Sequence, residues 1–507
     1  MDEAGETTAA PREIELKLDC TGPDLTALTG HALLGEVVGS EARLLVTRYY
    51  DTPDRALEAA GLTVRIRAEG GRFVQTVKAG SGQIGLFDRA EWETVVAGDA
   101  PEPAAWADTA AETVLSGREG ELAPLFSTVI MRRVHALDHG ESRIAVTLDE
   151  GRVESAKGDA TFCELELELE RGRVADLFGF AQALAETAPL RLGVLSKSAR
   201  GYAVLDGTAP APVKAAGVDL SPDDDAGTVF RSVARSCLRH LRLNETAFLE
   251  GEPNPSALHQ MRVALRRLRS ALSLFAPLFE NDPRATVLSD EIKRVTEPFG
   301  TGRNLDVFLH DTLPILAEHN PDDPALGTLE ERARAAQQQA YAAVREILHS
   351  PQWRGLLLDI AGWVEAGAWS EQDAARQDGR HCAAGILDKA RRRVKKRGQG
   401  LRHLDAHTRH RVRIAAKKLR YGAEFFADLF PKPKAQKRQK AFGDALSDLQ
   451  DHLGALNDIE TARTLPLDLA GNEALAMPDM DEKRVQSLLD KAADARTDLL
   501  DVKPFWR

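Results

Sequence analysis

The sequence is poor in cysteine and aromatic residues and has no long apolar run. Its four cysteines, Cys20, Cys163, Cys237 and Cys382, are scattered over 507 residues. They lack metal-ligand spacing, which argues against a thiolate metal site or disulfide scaffold and for a reducing compartment. No stretch approaches the roughly 20 apolar residues that a membrane-crossing helix needs, so no membrane partner is expected. The opening MDEAGETTAAP is acidic and carries no apolar run, so neither a signal peptide nor a transit peptide is expected. Walker, Rossmann and Ser-His-Asp patterns are missing, and GTGRNL (300–305) lacks the lysine and the third glycine of a phosphate loop. The cytoplasm is the expected location.

What the sequence does have is charge, unevenly placed. The net charge is −12, but residues 1–206 hold 35 acidic and 21 basic side chains, whereas the remainder holds 43 and 45. Residues 381–440 alone carry 19 basic against 4 acidic side chains. A carboxylate-rich half and a locally basic half imply two separate jobs. The length also implies several domains, read as 1–205, a Pro/Ala/Gly/Asp linker at 206–227, and 228–507.

Alternation and turn residues predict strands near 13–19, 43–50, 62–68, 72–78, 88–96, 128–137, 143–149 and 161–170. About eight strands with few helices between them predict an α+β domain built on an antiparallel sheet or barrel. REIELKLDC (12–20) sets Glu13, Glu15 and Lys17 against Ile14, Leu16 and Leu18, and CELELELERG (163–172) sets Glu164, Glu166, Glu168 and Glu170 on one face. Any one such strand is ordinarily a solvated face of an amphipathic sheet. A whole row of like charges repels itself, however, and a surface without function has no need of it. If the sheet closes with these faces inward, carboxylates could hold a hard cation and arginines could hold an anion.

The ordered set EIELKL, YYDTPD (49–54), GLTVRIR (61–67), QTVK (75–78), RAEWE (89–93), LFSTVIMRR (125–133), LDEG (148–151), CELELEL (163–169) and LSKSARGY (195–202) resembles the CYTH superfamily of triphosphate tunnel metalloenzymes. The likeness covers nearly all of residues 12–204 and is greatest to bacterial inorganic triphosphatases with a helical C-terminal domain. It implies an eight-stranded tunnel barrel that hydrolyses inorganic triphosphate with Mg²⁺ or Mn²⁺. By the same resemblance, Glu13, Glu15, Glu166 and Glu168 hold the metal and Lys17, Arg65, Arg67, Lys78, Arg89, Arg132 and Lys197 hold phosphate. Catalytic roles fall to Glu13, Glu15, Lys17, Lys78, Glu166 and Glu168. The pattern departs from close relatives, which have a second basic residue shortly after the Arg132 position, whereas here Arg133 adjoins and Val134 follows. The superfamily's adenylate cyclases and thiamine-triphosphatases keep an organic triphosphate such as ATP open as an alternative. A non-catalytic polyphosphate-binding scaffold is the other alternative.

The second half has helical spacing almost throughout and an internal repeat. HQMRVALRRLRSALSLF (259–275) aligns with HRVRIAAKKLRYGAEFF (410–426) at a shift of 151, and GTGRNLD (300–306) with GALNDIE (454–460) at 154. Two pseudo-symmetric helical bundles are expected. His259, Arg262, Arg266 and Arg269 form one stripe, and His410, Arg413, Lys417 and Arg420 its counterpart. Each stripe alone reads as a solvated face, but its repetition beside the same apolar seam favours a surface for a polyanion. Each histidine could be a metal ligand, an anion contact or a core residue, though no neighbouring ligand set supports a transition metal. These segments resemble the CHAD domain over about 228–465, with Asn304 where that family often has an acid. The likeness implies binding of long-chain inorganic polyphosphate and a place on polyphosphate granules. Nucleic acid is the rival partner, disfavoured because the basic helices lack interleaved aromatics.

Overall fold

The computed structural model describes residues 12–34, 42–80, 84–250, 254–319, 325–470 and 482–507. Eight strands form where the alternation predicts them: β1 (Arg12–Cys20), β2 (Arg43–Asp51), β3 (Leu62–Glu69), β4 (Arg72–Ala79), β5 (Leu86–Val96), β6 (Ala123–His139), β7 (Ser142–Ser155) and β8 (Gly158–Arg171). They pair antiparallel in the order β5-β4-β3-β2-β6-β7-β8-β1, and β1 pairs again with β5 to close a barrel. A two-residue β9 (Arg191–Leu192) adds to the free half of β1. The strands β6 to β8 run longer than expected because Gly151 does not interrupt β7. A Cβ at Gly151 would meet Ile130 and Phe162 at 2.9 Å, so the glycine is there to let the neighbouring strands pack.

The barrel is turned inside out relative to an ordinary amphipathic sheet. Its aliphatic faces point outward under a layer of helices. Leu16 and Leu18 of β1 are wholly buried, and Val64, Ile66 and Val77 of β3 and β4 form a core with Leu57 and Leu115 from short helices and Trp106 from a turn outside them. The charged residues of the same strands are left to face inward.

Two compact units are present. One combines Met1–Ala211 with Ser350–Gly367, the other Pro212–His349 with Ala368–Arg507. The helix Pro351–Ala366 therefore belongs to the barrel's unit, where it packs on the helix Val174–Ala185. Gly362 gives it a close approach, since a Cβ there would lie 3.1 Å from Phe178.

The second unit is helical. The repeat appears as two helix pairs, Ala226–Leu249 with Pro255–Leu274 and Gly379–Arg397 with Ala406–Phe425. The first helix of each pair is N-capped by an aspartate, Asp225 or Asp378. The two caps meet through reciprocal backbone bonds, Ala226 N to Gln377 O at 2.8 Å and Gly379 N to Asp224 O at 2.9 Å. The second helices meet through Phe275 and Phe426, whose rings lie edge to face 5.5 Å apart.

Candidate active site

Every tunnel residue expected from the sequence lines one cavity of about 360 Å³ inside the barrel. The register explains why. Opposite β1, Glu13 faces Arg89 of β5, while Glu15 faces Glu168 and Lys17 faces Glu166 of β8. Charges on successive inward positions thus become neighbours across strands.

Three sub-environments result. In the first, three cations and three carboxylates interlock. Lys197 Nζ lies 2.8 Å from both Asp149 and Glu166 and also pairs with Glu164. Lys17 Nζ lies 3.1 Å from Glu164 and also pairs with Glu166. Arg132 Nη2 reaches Asp149 at 2.6 Å and Glu166 at 3.2 Å. Burial disfavours each charge, but the opposite charges outweigh it. Lys17, Lys197 and Arg132 are held above their usual ranges, and Asp149 and Glu166 below theirs.

In the second, carboxylates dominate. Glu13 accepts from Lys78 at 2.7 Å and Arg89 at 3.1 Å, and Glu15 accepts from Arg89 at 2.7 Å. Glu168 has no ion-pair partner among the described residues. Burial, then Glu13, Glu15 and Glu91, push its carboxyl up to about 7. In the third, cations dominate. Arg67 is lowered to about 10, first by Arg65, then by burial and Arg132. Tyr49, not singled out from the sequence, lines the same wall, and although burial raises its hydroxyl, the nearby Arg65, Lys197 and Arg67 shift it down overall.

Asp149 and Glu164 complete the first group and were not among the expected site residues. Asp149 sits directly between Arg132 of β6 and Glu164 of β8. The signal for it is the tight turn at Gly140, which sets His139 opposite Ser142 and so Arg132 opposite Asp149. The same register puts Leu148 opposite Arg133, on the outer face, and leaves Val134 at the inward position beyond Arg132. Arg133 does not line the cavity.

The helix Lys197–Asp206 delivers Lys197, with Ser196 as its N-cap. It seats against the barrel at Gly201, where a Cβ would fall 1.9 Å from the Phe126 ring. Gly201→Ala should therefore overpack this contact and cost about 1–3 kcal/mol, read as a lowered melting temperature. An unchanged melt would mean that the helix is not held there.

In the second unit the two expected stripes are not equivalent. Arg262, Arg266, Arg303 and Lys417 cluster around His259. His259 is lowered to about 4 by burial and then by Arg303, Arg266 and Arg262, so its ring is neutral near pH 7. Lys417 is lowered to about 7 by burial and then by Arg266 and Arg413. Arg262, Arg266 and Arg269 also line a cavity of about 830 Å³ with Lys293 and Arg294. His410 stands apart, 3.0 Å from Asn457 Oδ1, and Arg420 pairs with Glu424 at 2.7 Å on the exposed face of its own helix. Asp306 is buried and accepts from Gln337 and Tyr341 at 2.7 and 2.9 Å.

Residues 11–202 match the family model described as the CYTH domain, and residues 232–466 the model described as the CHAD domain. The inorganic triphosphatase of Haemophilus influenzae is 28% identical over 199 residues, which make up 38% of this chain and 54% of that protein. The chain thus spans about half the length of this curated relative. The crystal structure of a CHAD domain from the plant Ricinus communis is 30% identical, with a TM-score of 0.48, over 58% of this chain and 98% of its own. The structure of a Hippeastrum protein described as having a dominant triphosphatase activity is 19% identical with a TM-score of 0.30, over 39% of this chain and 97% of its own. The chain belongs to the CYTH and CHAD families, a CYTH domain followed by a CHAD domain.

Proposed function

We propose that the barrel hydrolyses inorganic triphosphate to pyrophosphate and phosphate with Mg²⁺ or Mn²⁺, and that the helical unit binds inorganic polyphosphate. The observation that carries the first part is one cavity with a carboxylate-rich wall and a cation-rich wall. Glu13, Glu15, Glu166 and Glu168 would hold the metal. Their oxygens suit a hard divalent cation, and Glu168, raised first by burial and then by Glu13, Glu15 and Glu91, stands among negative charge that such a cation would relieve. A bound cation would neutralise phosphoryl oxygens and ease departure of pyrophosphate.

The chain's own cations do the remaining work. Arg65, Arg67, Lys78, Arg89 and Arg132 offer donors to the phosphoryl oxygens, bidentate where the guanidinium allows. Lys17 and Lys197, kept protonated by their carboxylate partners, stabilise charge and are unsuited to act as bases. Water adding to the terminal phosphorus, with the P–O bond to pyrophosphate breaking, would be oriented by a tunnel carboxylate. Tyr49 is the one aromatic residue in the described lining, and it is buried against Phe126. A base or thiazolium would find no platform among these residues, which favours the inorganic substrate over ATP or thiamine triphosphate. Phosphate release that requires a divalent cation and stops on chelation would support this reading. Release that survives chelation would overturn it.

For the helical unit, the support is the cluster around Arg266, where cations outnumber carboxylates. Tyr421, Phe425 and Phe426 near it are buried, so none is free to stack on a base, and a phosphate chain fits better than nucleic acid. Because Lys417 is held near 7, a bound anion should restore its charge. Polyphosphate affinity should then fall as pH rises from 6 to 8, with proton uptake on binding at pH 8. Calorimetry in buffers of different ionisation enthalpy checks this, and Lys417→Met should flatten the profile. An affinity independent of pH would contradict it.

A further inference from the structure

The internal repeat shows the same groove twice, filled in one half and open in the other. Each helix pair forms a groove between its first and second helices. Aligning the N-caps Asp225 and Asp378 sets His240 against Arg393 and Asn244 against Arg397, and aligning His259 with His410 sets Gln260 against Arg411. In the first pair His240 and Asn244 hold the chain's own backbone, with Gln260 behind His240. Asn244 accepts from Val213 N at 3.0 Å and donates to Val213 O at 3.1 Å. His240 Nε2 lies 3.1 Å from both Val213 O and Gln260 Oε1.

Among the described residues, no such segment fills the second groove. It is a cavity of about 470 Å³ lined by Arg393, Lys396, Arg397, Thr408 and Arg411. No carboxylate lines it, and among the described residues none of these four cations has a salt-bridge partner. Arg397 donates to the Arg411 carbonyl at 3.4 Å, which leaves most guanidinium donors of the set open. Two residues that hold the backbone in one half, and a third that hydrogen-bonds one of them, are thus three arginines in the other.

We infer that the groove between Gly379–Arg397 and Ala406–Phe425 is a second anion-binding site, whose ligand is a run of phosphoryl groups in a linear polyphosphate. This rests on the reading of the helical unit as a polyphosphate binder and extends its contact surface. Arginine forks and a hydroxyl suit phosphoryl oxygens, and no ring in the lining calls for a base. Lys418 connects the groove to the first cluster. It donates to Ser273 at 2.7 Å, and it is shifted down by burial and then by Arg393, Arg269 and Arg397 together. One chain could therefore contact both.

The test compares long-chain polyphosphate binding by the full chain, by Arg393→Ala/Arg397→Ala/Arg411→Ala, and by Arg262→Ala/Arg266→Ala/Lys417→Ala, with melting curves to show that each is folded. The groove variant should lose at least about ten-fold in affinity, and its salt dependence should become shallower by about 2 in the log-log slope. Wild-type affinity and slope in the groove variant, with loss in the other, would overturn the inference and leave polyphosphate binding intact. Equal competition by single-stranded RNA, lost in the same variant, would overturn the assignment to a bare phosphate chain. If the wild type retains no polyphosphate, the underlying reading fails. Titration of ¹⁵N-arginine-labelled protein with pyrophosphate then judges the groove by itself. Shifts of the Arg393 and Arg397 side-chain signals support an anion site, and their absence overturns it.

Discussion

Glu13→Gln/Glu15→Gln should lower metal-dependent phosphate release from tripolyphosphate by roughly a thousand-fold or more, while the protein still binds tripolyphosphate. Glutamine keeps the shape of each side chain and an oxygen for Lys78 and Arg89, so the wall of the tunnel stays in place. What is removed is anionic charge on the wall where Glu15 stands opposite Glu168. With two of the four proposed metal ligands neutral, the site should lose the cation. The proposed anion-binding wall of Arg65, Arg67 and Arg132 is untouched and should hold substrate at least as well. Phosphate release and calorimetric binding, measured on the same variant, separate the two effects. Unchanged turnover, or loss of substrate binding in step with turnover, would contradict the assignment.

Glu166→Ala should be costly in a different way. Glu166 accepts from Lys17, Lys197 and Arg132 at once, and with Asp149 and Glu164 it balances their charge. Removing it leaves one buried positive charge without compensation, worth about 3–5 kcal/mol. For a unit of this size that lowers the melting temperature by on the order of 10 °C. Turnover should vanish as well, because the same residue is a proposed metal ligand. The pH dependence has a defined sign. The carboxyls of Asp149 and Glu166 are held below their ordinary values, so their contribution is present at neutral pH and is lost only as pH falls well below about 4. A melting temperature for Glu166→Ala that matches the wild type would show that the interlocked group is not a stabilising unit.

The alternation of charge and aliphatic residues makes most of the barrel legible in the sequence alone. Period-two patterning in EIELKL and CELELEL identifies strand and face together, because the two faces are so unlike. The ordered motifs then supply the seven cations and four carboxylates that do share one cavity. Asp149 is less visible because its role comes from the β6–β7 and β7–β8 registers, and a single aspartate before a glutamate and a glycine reads as a strand end. Gly201 is invisible for a similar reason: only the distance to Phe126 shows why it is a glycine.

In the helical half, the repeat exposes matching stripes but not their fates. His410 and Arg420 occupy positions equivalent to His259 and Arg269, yet Asn457 and Glu424 give them local partners. Partner choice of that kind depends on neighbouring helices, which one-dimensional periodicity does not report. The helix Pro351–Ala366 makes the same point. Nothing in the pattern of PQWRGLLLDIAGWVEA sets it apart from the helices around it in the sequence, yet it packs with the barrel's unit.

The most direct test of the central claim is phosphate release from tripolyphosphate, ATP, thiamine triphosphate and long-chain polyphosphate, measured side by side with and without Mg²⁺ or Mn²⁺. Inward-facing charges that form a triphosphatase site predict metal-dependent release that is strongest with tripolyphosphate. No release from any of the four by the folded protein, with polyphosphate still retained, would contradict a catalytic tunnel and leave a polyphosphate-binding scaffold.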